Sequence, residues 1–185
     1  NIPVVLVTAL RKRTPSLDGV IEAHPRISIL HIPDVSDIWI RDWGMLASDA
    51  GSIRTRYAPK YLKDYEREAR AGEAAGRILA EFTGSPLKQT DIVLDLGNIT
   101  HNGAGSAIMT RRVLDDNPEL GEDALRDILH SECGITKCVL VDAEPGDETG
   151  HIDGTARFLD ENTIAVGSYR MSDGELHDAA NGTAD

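Results

Sequence analysis

Strand-like segments that come in pairs between helices are the feature that most limits how this chain can fold. Apolar or alternating segments, typical of strands, are separated by amphipathic stretches, which are typical of helices. Two units, residues 26–82 and 91–143, share one order, a pair of strands followed by a helix. This order predicts an α/β fold of ββα-type modules. It disfavours a doubly wound parallel sheet, in which single strands alternate with helices.

The predicted elements cover most of the 185 residues. Helices are predicted at Val20–His24, Lys63–Phe82 (with Gly84 as a C-cap) and Gly121–Ser131. Strands are predicted at Ile2–Leu10, Arg26–Ile32, Ile38–Ala47, Ile53–Tyr57, Asp91–Ile99, Ser106–Thr110, Lys137–Ala143, Ile152–Leu159 and Thr163–Tyr169. Turns at Asp49–Ser52, His101–Gly105 and Asp160–Asn162 would join three strand pairs. The sequence begins at Asn1 and stops in the polar segment Asp173–Asp185, so we expect residues 1–185 to be one domain cut from a longer protein.

The charge of the chain narrows the class of partner. Hydrophobic residues make up 41% and charged residues 27%, an ordinary balance for a globular domain. There are 19 basic and 31 acidic residues, which gives a net charge of -12. An acidic surface repels phosphate backbones and anionic lipids, so we expect no nucleic-acid or membrane partner and favour a small cation. No signal-peptide pattern and no apolar run of ~20 residues are present, and we expect a cytoplasmic protein.

Cys133 and Cys138 lie in the segment SECGITKC. Cys138 opens an apolar run, where a free cysteine behaves as a small hydrophobic residue. Structural thiols in a reducing compartment are the favoured interpretation, and a disulfide or a ligand role stays open.

Three polar islands interrupt strand-like sequence. The first, DIWIRDWG at residues 37–44, contains both tryptophans of the chain around an Arg-Asp pair. A charged pair in such a setting is costly unless it is satisfied, and such costs concentrate in functional sites. The alternative is an edge ion pair of Arg41 with Asp37 or Asp42, beside core tryptophans.

The second and third islands add carboxylates and a histidine. Asp95 lies inside the apolar run IVLDLGNI, either as a turn-capping residue or as a carboxylate facing a cleft. In the third island, a strand would place His151 and Asp153 on one face, where the acid could fix the tautomer of the imidazole. A second His or Cys pair is absent from the sequence, so we expect no metal. Together the islands suit a flat cation, because guanidinium pairs with carboxylates and stacks on indole.

The three islands resemble, in order, the motifs of one enzyme family. DIWIRDWG resembles the D-x-W-x-R-D-x-G signature of agmatine deiminases and bacterial (Porphyromonas-type) peptidylarginine deiminases. The segment LDLGNITHNGAGSAIMT (residues 94–110) resembles the L-E-G-G-N hairpin of that family, and DETGHIDGTARFL (residues 147–159) resembles its T-x-G-H-x-D segment. The segment YAPKY (residues 57–61) resembles an aromatic-Lys stretch of the family. Met45 for Pro, Asp95 for Glu and Leu96 for Gly are departures.

The resemblance implies a pentein fold, a propeller-like ring of ββαβ modules, of which this chain would hold an incomplete part. It implies hydrolytic deimination of agmatine to N-carbamoylputrescine and ammonia, a step of putrescine and polyamine biosynthesis, without a cofactor. By the same resemblance, His151 is the general acid and base with Asp153 as its carboxylate companion. Asp42, Asp95 and Trp39 would bind the guanidinium substrate.

The nucleophile that this chemistry requires is a cysteine thiolate. In the family it lies beyond the His motif, in a segment that this sequence does not contain, and neither Cys133 nor Cys138 matches it. We therefore expect the 185 residues alone to be inactive. Three alternatives stay open, namely a peptidylarginine deiminase, a pentein module that binds cationic ligands without turnover, and a plain α/β domain with satisfied polar turns. A homo-oligomer is also compatible with the sequence.

Overall fold

Strands and helices alternate along the chain as the sequence predicts. A computed structural model describes residues 4–9, 14–35, 37–48, 51–62 and 65–168. The elements are β1 (Val4–Thr8), α1 (Pro15–Ala23), β2 (Ile27–His31), α2 (Ile40–Trp43), β3 (Leu46–Ser48), β4 (Gly51–Arg56), a 3-10 turn (Lys60–Leu62), α3 (Glu66–Thr83), β5 (Leu87–Val93), a second 3-10 turn (Leu96–Asn98), β6 (Thr100–His101), β7 (Ser106–Thr110), α4 (Arg112–Asp116), α5 (Glu122–Cys133), β8 (Lys137–Val141), β9 (Ala156–Phe158) and β10 (Ile164–Val166).

Two three-stranded mixed sheets repeat one connection. In the first, β3 pairs antiparallel with β4, and β4 pairs parallel with β5 after the crossover through α3. In the second, β6 pairs antiparallel with β7, and β7 pairs parallel with β8 after the crossover through α4 and α5. The ββα order predicted from the sequence is confirmed, and each unit closes as ββαβ. A ring of such units stays a prediction.

Each end of the described chain holds part of a similar unit. β1 and β2 pair in parallel around α1, whose first turn is capped by the hydroxyl of Thr14. The hairpin of β9 and β10 confirms the last predicted strand pair, with shorter strands. Several predicted ends lie outside the described residues, namely Ile2, Leu10, Asp49, Lys63, Tyr169 and the segment Asp173–Asp185.

The core lies between the sheets and the helices. One apolar cluster joins both sheets to α5 through Ile53, Leu94, Met109 and Leu129. The long helix α3 buries its small residues, which lets it approach β4 closely, and it ends at Gly84 in the left-handed conformation. The predicted C-cap is therefore confirmed.

The strands predicted at Ile38–Ala47 and Asp91–Ile99 are wrong in part. Residues 38–45 are not a strand, because Asp37 accepts the main-chain N–H of Trp39 and starts a helical turn that ends before β3. The strand predicted at Asp91–Ile99 ends at Val93 and pairs with β4 rather than with β7. A capped 3-10 turn occupies Leu96–Asn98 instead.

A second apolar cluster attaches α2 to α3, and a buried arginine supports it. Trp43 packs with Tyr57 and Ala75 in this cluster. Arg54, only 1% exposed, pairs with Glu73 of α3 at 3.0 Å. Gly76 is the point of closest approach, since a Cβ there would overlap the carbonyl oxygen of Trp43 and lie 3.0 Å from Nη2 of Arg54. The position of α2 therefore depends on the absence of a side chain at this position of α3.

Substitution of Gly76 tests this packing. Gly76→Ala should destabilise the chain by about 1–3 kcal/mol, because overpacking outweighs the gain in helix propensity. Gly19→Ala in α1, where the added methyl has open space, is the matched control and should be neutral or slightly stabilising. Urea unfolding of the variants measures the difference. A Gly76→Ala chain as stable as the control would contradict this account of how α2 is held.

Candidate active site

The first polar island forms a helical turn anchored in the core. Asp37 Oδ1 accepts the main-chain N–H of Trp39 at 2.7 Å, and the indole N–H of Trp43 donates to the carbonyl oxygen of Asp37 at 3.3 Å. Because Trp43 is buried at one side of the turn, Arg41 and Asp42 extend from it in other directions. The alternative in which Arg41 pairs with its own neighbours is wrong, since its carboxylate partner is Asp153.

Asp95 lies at the point where β5 gives way to the second 3-10 turn. Its Oδ1 accepts the main-chain N–H of Gly97 at 3.0 Å, which caps the turn. Its Oδ2 lies 2.7 Å from Nε2 of His151 and also accepts the hydroxyl of Tyr61. The residue is 4% exposed, so its charge is held among these three partners. The turn-capping interpretation of Asp95 is confirmed, and its place facing a cleft stays a prediction.

His151 is positioned by its own loop rather than by a strand. Its main-chain N–H donates to Asp147 Oδ2 at 3.1 Å. The preceding Gly150 adopts a positive φ of 65°, and its carbonyl oxygen accepts the hydroxyl of Thr110 at 2.5 Å. The predicted strand begins only at Ala156, so the same-face argument for His151 and Asp153 is wrong.

Gly97 is the place where the islands meet. A Cβ at this residue would overlap Nδ1 of His151 and would lie 2.7 Å from Oδ1 of Asp42. The carbonyl oxygen of Gly97 accepts the main-chain N–H of Asp153 at 3.1 Å. The structure therefore brings together four of the five predicted site residues, although Asp42 and Asp153 are far apart in sequence.

Asp153 and Trp39 occupy less direct positions. The Asp153 carboxylate pairs with Nε of Arg41 at 3.2 Å, while Arg41 also donates to the carbonyl oxygen of Ile99 at 2.7 Å. The hydrogen-bonded companion of His151 is thus Asp95, and Asp153 acts on the imidazole through its charge. Trp39 is 66% exposed beside Asp42, and its role as a wall for substrate stays a prediction.

The electrostatics of the cluster are set by crowded carboxylates. Burial and the charge of Asp95 raise the pKa of Asp42 to about 7, although the charge of His151 acts to lower it. Burial alone would lower the pKa of His151, but the hydrogen bond and charge of Asp95, with Asp42 and Asp153, raise it above its ordinary value. In the described part of the chain, no donor is recorded for the side chain of Asp42. A cation bound at this carboxylate stays a prediction.

The same three groups are those that could hold a metal ion. Ligand atoms of Asp42, Asp95 and His151 all lie within 4.8 Å of one another. Oδ2 of Asp95 and Nε2 of His151 are hydrogen-bonded to each other, so an ion ligated by these two atoms would have to displace that hydrogen bond. Neutral imidazole and carboxylate are ordinary zinc ligands, but the absence of a metal stays our prediction.

The two cysteines are structural in their surroundings. Both are free thiols, and burial raises the pKa of Cys133 to about 11 and also raises that of Cys138. The Cys138 thiol contacts the sulfur of Met109 at 3.8 Å. Within the described ranges, no hydrogen bond joins either thiol to Asp42, Asp95 or His151.

The sequence did not assign a role to Tyr61, Arg41 or Gly97. Tyr61 belongs to the YAPKY segment, whose resemblance to the family was the only available signal. The role of Gly97 depends on a contact with residues remote in sequence, so no local pattern could reveal it. Arg41 was identified as a paired charge, but its partner could not be chosen from sequence spacing.

Comparison with known proteins finds a matching family model and a shared fold. A sequence model of the family described as Porphyromonas-type peptidyl-arginine deiminase matches residues 3–183. The agmatine deiminase of C. jejuni superposes with a TM-score of 0.75 at 21% identity, over 96% of this chain and 54% of that structure. An agmatine deiminase of Enterococcus faecalis gives 0.76 at 18% identity, over 98% and 52%. The chain thus has the agmatine deiminase fold and spans about half the length of these structures. No curated protein sequence matches it.

The raised pKa of Asp42 predicts how stability changes with pH. A carboxyl group whose pKa rises on folding, here from 3.8 to about 7, contributes most at low pH and loses its contribution as pH rises through that interval. His151 acts in the same direction, since the stability from a raised His pKa is lost as pH rises through that value. Asp42→Asn should therefore stabilise the chain at pH 8 relative to wild type, by roughly 1–2 kcal/mol after solvent screening.

The control is Asp123→Asn, which removes an exposed carboxylate from α5. Urea unfolding at pH 4 and pH 8 gives both differences. The stabilisation should appear at pH 8, shrink at pH 4 and be absent from the control. Equal effects of Asp42→Asn on stability at both pH values would contradict a raised pKa for Asp42 in the folded chain.

Proposed function

The chain belongs to the Porphyromonas-type peptidyl-arginine deiminase family, and from its site we propose that it takes part in hydrolytic deimination of a guanidinium substrate. The observation that carries the proposal is the carboxylate of Asp42, which faces His151 across Gly97 and has no recorded donor among the described residues. A guanidinium ion would supply this carboxylate with a positively charged partner and with N–H donors. The proposed substrate is agmatine, which the solved relatives are named for.

The proposed reaction divides the work between the two carboxylates and the imidazole. Asp42 binds the N–H edge of the guanidinium, which returns its carboxyl group to the ionised state. Asp95 also faces the bound cation in this proposal, while its Oδ2 orients Nε2 of His151. Trp39 supplies an aromatic wall for the substrate, and Asp153, held by Arg41, adds a third carboxylate.

The proposed chemistry proceeds in two steps through the thiolate of a cysteine other than Cys133 and Cys138. The thiolate sulfur attacks the guanidinium carbon, and protonated His151 gives its proton to the departing nitrogen, so that ammonia leaves. An amidino-thioether remains. His151 then takes a proton from water, and the hydroxyl oxygen bonds to the same carbon. The C–S bond breaks to regenerate the thiolate, and the hydroxyl proton is released to solvent, where ammonia takes it up. The product is the carbamoyl compound, and neither redox change nor cofactor enters the balance.

The raised pKa of His151 suits the first of these steps. A raised pKa extends the pH range in which the imidazolium can protonate the leaving nitrogen, because Asp95, Asp42 and Asp153 stabilise its charge. Binding of a cation beside Asp42 would lower that pKa again and free the imidazole to accept a proton from water. One residue could therefore act as acid and then as base.

Turnover by the complete protein encoded by the gene tests the proposal. With agmatine, we expect release of ammonia and formation of a carbamoyl product, and His151→Asn should reduce kcat by about 10²–10⁴-fold. His130→Asn, at an exposed position of α5, is the control and should leave kcat unchanged. Comparison with free arginine and with a peptide ending in arginine assigns the substrate class. Binding of agmatine without turnover would favour the binding module instead.

Binding to the 185-residue chain is a separate measure. Asp42→Asn should weaken agmatine binding at least tenfold, since a charge-assisted hydrogen bond is lost, while Asp123→Asn should have little effect. Calorimetry at one salt concentration compares them. Equal weakening by both variants would indicate general attraction to the acidic surface and would contradict a specific site at Asp42.

A further inference from the structure

Tyr61 reaches the same carboxylate oxygen that holds His151. Its hydroxyl donates to Oδ2 of Asp95, and that oxygen lies 2.7 Å from Nε2 of His151. The two rings meet edge to face, with centroids 6.1 Å apart and an interplanar angle of 69°. Oδ1 of Asp95 is occupied by the N–H of Gly97. Tyr61 and His151 therefore share the one remaining oxygen of a buried acid.

The position of Tyr61 is fixed from the side of α4. The guanidinium carbon of Arg112 lies 5.9 Å from the centroid of the tyrosine ring. The main-chain N–H of Lys60, the preceding residue, donates to Oδ1 of Asp116 at 2.9 Å, and its ammonium group donates to the carbonyl oxygen of Asp115. These contacts tie the 3-10 turn to α4 at both backbone and side chain. The hydroxyl is thus held toward Asp95 by structure outside the reacting groups.

Tyr61 also stays protonated wherever His151 titrates. Burial, followed by the charge of Asp95 and the hydrogen bond to it, raises the pKa of Tyr61 far above its ordinary value. The tyrosine is therefore a permanent donor to Asp95.

We propose that Tyr61 is a positioning residue that limits how strongly Asp95 binds the proton of His151. A donor on Oδ2 takes part of the negative charge that would otherwise act on the imidazole alone. It also prevents rotation of the carboxylate away from Nε2. The effect of Tyr61 on catalysis rests on the proposed function. In that reaction His151 must deliver its proton to the leaving nitrogen, and an acid that holds its proton too tightly cannot do so.

Three carboxylates around His151 act in the opposite sense to Tyr61. Asp95 faces it from the end of β5, Asp42 from α2 and Asp153 from its own loop, and each raises the pKa of the imidazole. Tyr61, from the 3-10 turn, donates to Asp95 and so weakens the attraction of this carboxylate for the proton of His151. Loss of its hydroxyl alone should therefore strengthen the attraction of Asp95 for the histidine proton.

Tyr61→Phe tests this inference, since it keeps the ring against Arg112 and His151 and removes only the O–H group. The pKa of His151 is measured in the 185-residue chain by NMR of labelled imidazoles, with its signal identified by its loss in His151→Asn. The midpoint should rise by about 0.5 pH unit or more, because a hydrogen bond to a charged group is lost. Tyr65→Phe, which removes a hydroxyl from a residue that is 57% exposed, should leave the midpoint unchanged.

An unchanged or lowered midpoint in Tyr61→Phe, in a chain whose circular dichroism matches wild type, overturns the inference. The NMR titration does not depend on turnover, so absence of deimination would refute the proposed function and leave this result standing. If the complete protein is active, the pH profile of kcat/KM should shift upward in Tyr61→Phe by the same amount. A uniform loss of rate with an unshifted profile would indicate a merely structural role and would overturn the inference as well.

Discussion

The contact between Asp95 and His151 is the interaction on which the site depends. It joins the end of β5 to a loop that follows β8, and both residues are mostly buried. The contact forms only because Gly97 carries no side chain, so that the imidazole can lie against the main chain of the second 3-10 turn. The apolar cluster shared by the two sheets brings these segments together. Packing of the ββαβ units is therefore what creates the site, and no single unit contains it.

The site brings three carboxylates close together, which is electrostatically unfavourable unless each has a partner. Asp42, Asp95 and Asp153 lie around one imidazole, and they differ in the partners of their carboxylates. Asp95 is bonded by Gly97, His151 and Tyr61, and Asp153 is paired with Arg41. For Asp42 the structure records no such donor, and its pKa is raised accordingly. The raised pKa of Asp42 agrees with the pattern that perturbed groups concentrate where chemistry occurs, and it supports the proposed binding of a cation.

Much of this could be predicted from the sequence, and the errors have a common physical origin. Strand pairs, the helix α3 with its C-cap and the last hairpin follow from local patterns of apolar residues and glycine. The resemblance of three motifs identified Asp42, Asp95 and His151. Local patterns failed where long-range contacts decide the backbone. Burial of Trp43 selects a helical turn in the first island, and the partners of Arg41 and Tyr61 come from segments remote in sequence.

The most direct test of the account is the pKa of His151 in the presence and absence of agmatine. If the guanidinium group binds between Asp42 and the imidazole, as proposed, saturating agmatine should lower the titration midpoint of His151 by about one pH unit through like-charge repulsion. N-carbamoylputrescine, which keeps the amine but is neutral at the other end, is the matched ligand and should shift it much less. A midpoint that agmatine leaves unchanged, at a concentration where binding is saturated, would show that the cation binds elsewhere.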